Sequence, residues 1–545
     1  MFAQIPAGPT TPDIAWSAFA PELVLGSAAM VLLLLIVAER FRLLVAAPVG
    51  AGGVALGAWL VTNDLVFPGG VAVALGAGLV AIVIGLGALP RLVLPFTAAL
   101  ATAGALALTG WQAVTLLGLD GGATASTTFS GSVAIDGIAV FTRLTVLVTT
   151  LLVIPLGHGY LVDRRIARAE FEPLVLLSAT GMMLLGAAND LITLFVSLEI
   201  LSIALYVLAG LARRDRRSQE SALKYFVLGA VASAILLYGF ALLYVATGSL
   251  ELPGIGLALG LLTTPARIAV LGLALVTVGI GFKIAMVPFQ LWTPDVYQGA
   301  PSNVTAFMAA TTKAAGFAAV LRLYLVVFGR LDDLWAPVLA VLAAATMLYG
   351  AVGALVQRDL KRVLAYSSIA HAGYALIGVV AASGEGLSGT LWYLLTYAVS
   401  TIAAFGVVIA VERRRRGEVT LVDLRGLGRT SPVLAGFLAL SLVSLAGIPP
   451  TAGFVGKLVV FQAGVAAGYE WLVVIGVLSS VVAGFFYLRI IGAMVFEEPE
   501  AETEAPIVTT GLSVATSVAA ALVVYLGVQP QVLLDLARVT TTIVR

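Results

Sequence analysis

Residues 191–210 read LITLFVSLEILSIALYVLAG, twenty residues with one ionisable side chain, Glu199. At about 1.5 Å per residue such a run extends roughly 30 Å, the thickness of a bilayer's hydrocarbon core. It predicts a transmembrane helix that carries its carboxylate roughly 12 Å from one end. A charge in that position costs about 2.5–3.5 kcal/mol on insertion scales, so the default reading is a functional one. Lys224, Lys283, Lys313 and Lys457 sit in other long apolar runs of the same chain. Five ionisable groups of this kind point to an ion pathway, with protons as the carried ion.

Composition supports that setting. The chain has 545 residues, 60% hydrophobic and 11% charged, with a mean hydropathy of +1.07. A soluble domain does not have this balance. The net charge of +1 is not pooled in one segment, and nucleic acid is not an expected partner. With no Cys, the chain has no disulfide and no thiolate-held iron–sulfur cluster. Two histidines, His158 and His371, are too few for a His-rich metal site. The N-terminal residues MFAQIPAGPTTPDIAW carry no basic group and read as the start of an uncleaved anchor.

The runs predict an all-α polytopic membrane protein of about sixteen spans. They fall at roughly 22–38, 43–62, 70–89, 92–117, 134–162, 171–188, 191–210, 219–247, 266–298, 301–328, 335–356, 361–382, 389–411, 432–462, 469–495 and 507–527. Basic residues gather in alternate loops: Arg40 and Arg42, Arg91, Arg164 to Arg168, Arg213 to Arg217, Arg358 to Arg362, and Arg413 to Arg429. The intervening loops hold almost none, Arg330 beside Asp332 and Asp333 being the main exception. The positive-inside rule puts these loops in the cytoplasm and both termini on the opposite side.

Two predicted spans contain proline at mid-length. One holds GFKIAMVPFQLW (281–292), with Lys283 just before Pro288. The other holds LAGIPPTAGFVGKLVVF (445–461), with Pro449 and Pro450 just before Lys457. Proline removes a helical hydrogen bond, so both spans are expected to break. They lie five spans apart, which divides the chain into five-helix units at 171–328 and 335–495. Five is odd, so the second unit enters from the opposite side, giving an inverted repeat with one broken helix in each half. The remaining divisions are N-terminal helices over 1–133, including an extra hairpin, a linking helix over 134–170, and a C-terminal helix and short tail over 496–545.

Glu199 and Lys283 form the best charge pair. In a low-dielectric interior a carboxylate and an ammonium stabilise each other's charge, so making and breaking the contact switches proton affinity. The alternative is a static ion pair. Lys313, in MAATTKAAGFAAVLR, lies deep in its run, with Thr311 and Thr312 as hydrogen-bonding neighbours. Lys457 follows GFVG, but Leu458 stands where a phosphate loop needs Ser or Thr. Lys224 comes soon after RRDRRSQE and reads equally as a snorkelling side chain. His371 is either a relay group or a packing residue. Asp136, Arg143 and His158 read as interfacial, and Asp295 as the anchor of a cytoplasmic turn.

Five segments together resemble one family. They are LFVSLEILSIALYVLAG (194–210), SALKYFVLGAVASAILLYGFALLYVATGS (221–249), GFKIAMVPFQLWTPDVYQGAPSNVTAFMAATTKAAGFAAVLR (281–322), RDLKRVLAYSSIAHAGYALIG (358–378) and SLAGIPPTAGFVGK (444–457). The chain resembles the antiporter-like subunits of proton-translocating NADH:quinone oxidoreductase, respiratory complex I, over about 134–495. GIPPTAGF followed by lysine is the form of the N branch, where the M branch has glutamate. The short tail after the last run leaves no room for the long lateral helix of the L branch. The resemblance implies that Glu199 and Lys283 gate proton entry, that Lys224 is typical of the N branch, and that Lys313 and Lys457 are the central and terminal lysines.

It further implies a translocase subunit of a bacterial inner membrane, working beside other membrane and peripheral subunits, including adjacent antiporter-like ones. NADH, FMN, iron–sulfur clusters and quinone then belong to those partners, with no cofactor or metal on this chain. Two positions depart from the family: Gln290 stands where His is usual, and Asn303 where Pro is usual. The family core of fourteen spans implies that two of the sixteen are additions, within 43–89. Other readings are a subunit of a multi-subunit cation/proton antiporter, a self-contained secondary transporter, and a structural subunit.

Overall fold

The computed structural model describes residues 15–38, 93–116, 125–164, 166, 169–261, 267–415, 417–499 and 506–539. The expected spans at 43–62 and 70–89 lie outside them. Helices α1 (Trp16–Ala38), α2 (Val93–Leu116), α3 (Gly137–Asp163), α4 (Phe171–Ala187), α5 (Leu191–Ala209) and α6 (Arg216–Thr247) come first. A short helix, α7 (Leu252–Leu261), precedes α8 (Arg267–Ile284), α9 (Trp292–Gly299) and α10 (Ser302–Val327). Then come α11 (Asp332–Leu355), α12 (Leu360–Val380), α13 (Gly384–Arg415), α14 (Pro432–Ala446), α15 (Ala452–Ala466), α16 (Glu470–Phe496), α17 (Thr510–Val528) and α18 (Gln531–Val539). Among the described residues twelve helices are long and apolar enough to cross a membrane. A thirteenth span is added if Val422–Thr430 and Pro432–Ala446, bent by 120°, count as one. The protein is an all-α, multi-pass membrane protein.

Local chemistry sets the boundaries. Helix α5 starts where Asp190 accepts from the backbone of Ile192 and Thr193, both at 2.8 Å. Asp136, Asp215 and Asp359 cap α3, α6 and α12 in the same way, satisfying amides that have no helical partner. The expected spans at 266–298 and 432–462 are each two helices, interrupted at 285–291 and 447–451. Pro288 lies in the first gap, and Pro449 and Pro450 in the second. Several short elements had no counterpart in the predicted spans, among them the turns of helix at Val422–Leu424 and Leu427–Thr430. Helices α7 and α18 are too short to cross, and Ser126–Thr128 pairs antiparallel with Val133–Ile135.

Helices α10, α12 and α13 are buried along nearly their whole length and form the centre. Helix α13 packs against α3, α12, α14, α15 and α17. Helices α6 and α8 pack closely because glycine lines their contact. A Cβ on Gly239 would lie 2.9 Å from the Val276 nitrogen, and one on Gly279 3.0 Å from the Ala232 carbonyl oxygen. Small residues let helix backbones approach where apolar burial supplies no drive.

The interior also holds charges that the sequence reading placed at interfaces. Arg143 is fully buried, with Nε 2.5 Å from Glu22 Oε1 and Nη1 3.2 Å from Gln112 Oε1. Asp136 is buried in a bidentate pair with Arg322, at 2.7 and 3.0 Å, and Arg322 Nε donates to the Gly186 carbonyl at 2.7 Å. Proximity to a span end does not expose these groups, because neighbouring helices cover them. At the other end of α10, Ser302 donates to the buried Glu412, which also accepts from the Tyr160 hydroxyl at 2.9 Å.

Candidate functional site

Lys283 is the last residue but one of α8, and the helix ends beside it because Ala285 takes φ +61°. A left-handed backbone is uncommon for alanine and cannot continue an α-helix. The break takes away the i+4 partner of the Phe282 carbonyl, which accepts instead from the Ala285 amide at 3.1 Å and the Trp292 indole at 2.9 Å. Lys283 Nζ donates to Ser202 Oγ at 2.8 Å and to the Tyr225 hydroxyl at 3.2 Å. Glu199, one turn before Ser202 on α5, is half-buried and accepts from Ser233 Oγ at 2.5 Å. The expected direct ion pair between Glu199 and Lys283 is not made in this structure. Each group instead binds a serine, and Ser202, Ser233 and Lys283 line one narrow cavity.

Lys224 is not an interior charge. Its side chain is 41% exposed, and its ammonium lies 2.6 Å from Glu220 and 2.7 Å from Asp295. It sits near the charged end of α6, where its flexible stem reaches two carboxylates. Asp295 also accepts from Arg362 Nη1 at 2.8 Å, so this carboxylate ties α6, α9 and α12 together.

Lys313 directly follows a π-helical turn, Met308–Thr312, on the fully buried α10. Its ammonium donates to the Ser368 carbonyl and lies 5.5 Å from the Tyr397 ring centre. The expected contacts with Thr311 and Thr312 are not made. Their hydroxyls donate to the carbonyls of Phe307 and Met308, one turn back.

His371 is buried on α12 with four tyrosines close by. Its Nδ1 is 2.5 Å from the Tyr393 hydroxyl, and its Nε2 3.4 Å from that of Tyr487. Its ring centre lies 4.9 Å from that of Tyr397 and 5.6 Å from that of Tyr374. Lys457, on α15 after the second break, donates to the Ala446 carbonyl at 2.9 Å and to Ser480 Oγ at 3.0 Å. The carbonyl is one that the break leaves without a helical partner. The Lys457 ammonium lies 4.5 Å from the Tyr374 ring centre. Lys313, Tyr397, His371, Tyr374 and Lys457 are therefore successive neighbours across α10, α12, α13 and α15. Tyr393, Tyr397 and Tyr487 were missed in the sequence, although Tyr393 and Tyr397 are four residues apart and so share a helix face.

Gln290 and Asn303 are both buried. Gln290 Oε1 and both amide atoms of Asn303 have no hydrogen-bond partner among the described residues. No group of three His, Asp or Glu side chains that could hold a metal occurs among those residues.

Residues 188–483 match the family described as NADH:quinone oxidoreductase/Mrp antiporter, transmembrane. Over 440 residues the chain is 46% identical to NADH-quinone oxidoreductase subunit N of Parafrankia sp. (strain EAN1pec), covering 76% of this chain and 84% of that one. The subunit N of Rhodococcus opacus (strain B4) is 51% identical over 371 residues, covering 68% of each chain. The chain belongs to the NADH-quinone oxidoreductase subunit N family. Among solved structures, a chain of respiratory complex I from Thermus thermophilus with bound aureothin superposes with a TM-score of 0.70. It is 36% identical, over 85% of this chain and 97% of that one. A chain of the Mrp complex from Dietzia sp. DQ12-45-1b has a TM-score of 0.69 at 24% identity, over 83% of this chain and 95% of that one, and shares the fold. The matched family region contains Glu199, Lys224, Lys283, Lys313, His371 and Lys457.

Proposed function

We propose that this chain is the N-type proton-translocating subunit of a bacterial NADH:quinone oxidoreductase, carrying protons along its buried lysine series. Glu199 and Lys283 exchange a proton through the serine-lined cavity. Lys313, His371 and Lys457 pass it on, and Lys224, with Asp295 and Arg362, forms the charged mouth. The observation that carries this reading is the unbroken row from Lys313 through His371 to Lys457. Each member touches a tyrosine that touches the next. Buried ionisable groups in such a row are costly unless they are used.

We read 171–328 and 335–495 as two inverted five-helix units; what supports this is that each contains one interrupted span with a lysine beside the gap. The sixteen-span count joins a family core of fourteen to an added hairpin, with 1–133, 134–170 and 496–545 flanking the units. Alternating basic loops favour a bacterial inner membrane location with both termini on the non-cytoplasmic side. NADH, FMN, iron–sulfur clusters and quinone are held by partner subunits, so the translocase label belongs to the assembly. A cation/proton antiporter subunit is less supported, because identity is 46–51% to the oxidoreductase subunits and 24% to the Mrp chain.

The test is Lys313→Ala in the assembled complex, in inverted membrane vesicles. The expected result is loss of proton pumping, with NADH oxidation by an artificial acceptor retained. Pumping at the wild-type proton-per-electron ratio would overturn the assignment.

A further inference from the structure

Three of the four buried lysines lie close to a tyrosine ring; the fourth, Lys361, donates to the Ala300 carbonyl at 2.8 Å. The ammonium-to-centroid distances are 5.4 Å for Lys283 over Tyr225, 5.5 Å for Lys313 over Tyr397 and 4.5 Å for Lys457 over Tyr374. All three rings are buried. Lys224, by contrast, has two carboxylates within 2.7 Å and no ring. Among the described residues no carboxylate lies within ion-pair distance of Lys313 or Lys457. Their hydrogen bonds go to neutral oxygens of Ser368, Ala446 and Ser480.

The rings are held by contacts of their own. Tyr225 stacks on Trp292 at 4.6 Å with 13° between the planes. The Tyr397 hydroxyl donates to Ser368 Oγ at 2.8 Å. Tyr374 meets Phe461 edge-on at 6.2 Å. For Lys313 and Lys457 the aromatic residue offers its face and not its hydroxyl to the ammonium.

An ammonium can rest in a buried site in three ways. A carboxylate holds it tightly, and the proton is then slow to leave. With nothing opposite it, burial expels the charge. The negative face of a tyrosine lies between these, strong enough to receive a cation and too weak to trap it.

We propose that Tyr397 and Tyr374 are positioning residues whose ring faces replace a carboxylate as the counter-charge of Lys313 and Lys457. This rests on the pathway reading above. It deepens that reading by assigning what receives the charge at Lys313 and Lys457. No bond forms to the ring; the proton stays on nitrogen until the next acceptor takes it.

The experiment varies the ring while leaving the lysine in place, in the intact complex in inverted vesicles. Tyr374→Phe keeps the ring and removes the hydroxyl, and quinone-linked turnover should stay within about twofold. Tyr374→Leu removes the aromatic face, and turnover and pumping should fall about tenfold with assembly retained. Equal losses in Phe and Leu would assign the effect to the hydroxyl and overturn the proposal, as would full activity in Leu. Should Leu prevent assembly, a series of progressively fluorinated phenylalanines at 374 decides at nearly constant shape. A graded decline with fluorine number supports the ring face, and a flat series refutes it. Lys457→Ala run alongside separates the two levels. If it pumps normally, the pathway reading itself fails. If it is dead while every ring variant is normal, only the counter-charge role fails.

Discussion

The Tyr393 hydroxyl lies 2.5 Å from His371 Nδ1, joining a helix of the buried centre to the one imidazole between Lys313 and Lys457. A hydroxyl at that distance decides which ring nitrogen carries the hydrogen. His371→Gln keeps a polar group and removes the titration. It should abolish pumping and lower quinone-linked NADH oxidation at least about tenfold, as expected for a relay group. Normal proton-per-electron ratios in vesicles would reduce His371 to packing.

Glu199→Gln should impair quinone-linked turnover although Glu199 makes no ion pair with Lys283 in this structure. The carboxylate bonds Ser233, and the amide can keep that bond. A loss in Gln would therefore report charge and not geometry. Ser233→Ala, which removes the hydrogen bond and keeps the charge, should cost less. Steady-state rates of the two variants in the assembled complex give the comparison.

Lys224→Ala should be milder than Lys283→Ala. An exposed ion pair is worth about 0–1 kcal/mol, and the Lys224 side chain is 41% exposed. Assembly should be unaffected and turnover should change by a few-fold at most. A Lys224 variant as inactive as Lys283→Ala would show that the charged mouth limits the rate.

Arg322→Leu should destabilise the subunit severely. It leaves Asp136 buried without its bidentate partner, and breaking such a pair costs about 3–5 kcal/mol. The assembled complex should be nearly absent from membranes on a native gel. Restoration by the double variant Arg322→Leu, Asp136→Leu would confirm that the cost is the stranded charge.

Much of the fold was legible because the membrane imposes one length and one hydrogen-bonding solution on every span. LITLFVSLEILSIALYVLAG could only be a spanning helix, and Pro288 and Pro450 announced the two gaps. Burial near span ends was not legible. Asp136 and Arg143 looked interfacial from their positions, yet Arg322 and Glu22, remote in sequence, enclose them. The lysines stood out as charges in apolar runs, whereas Tyr374, Tyr393, Tyr397 and Tyr487 did not, since aromatic residues are ordinary in a membrane helix. Only the packing of α12 against α13 and α16 brings them around His371.

Helix α10 is fastened at both ends, at Ser302 by Glu412 and at Arg322 by Asp136. Sliding this rod through the bundle would break both ties, at about 3–5 kcal/mol for the buried ion pair alone. On the proposed pathway, a stroke that accompanies quinone reduction reaches Lys313 more cheaply by a swing of its own flexible stem or by a local twist at the wide turn before it. The central lysine of that proposed pathway thus works as a hinged arm on a fixed post.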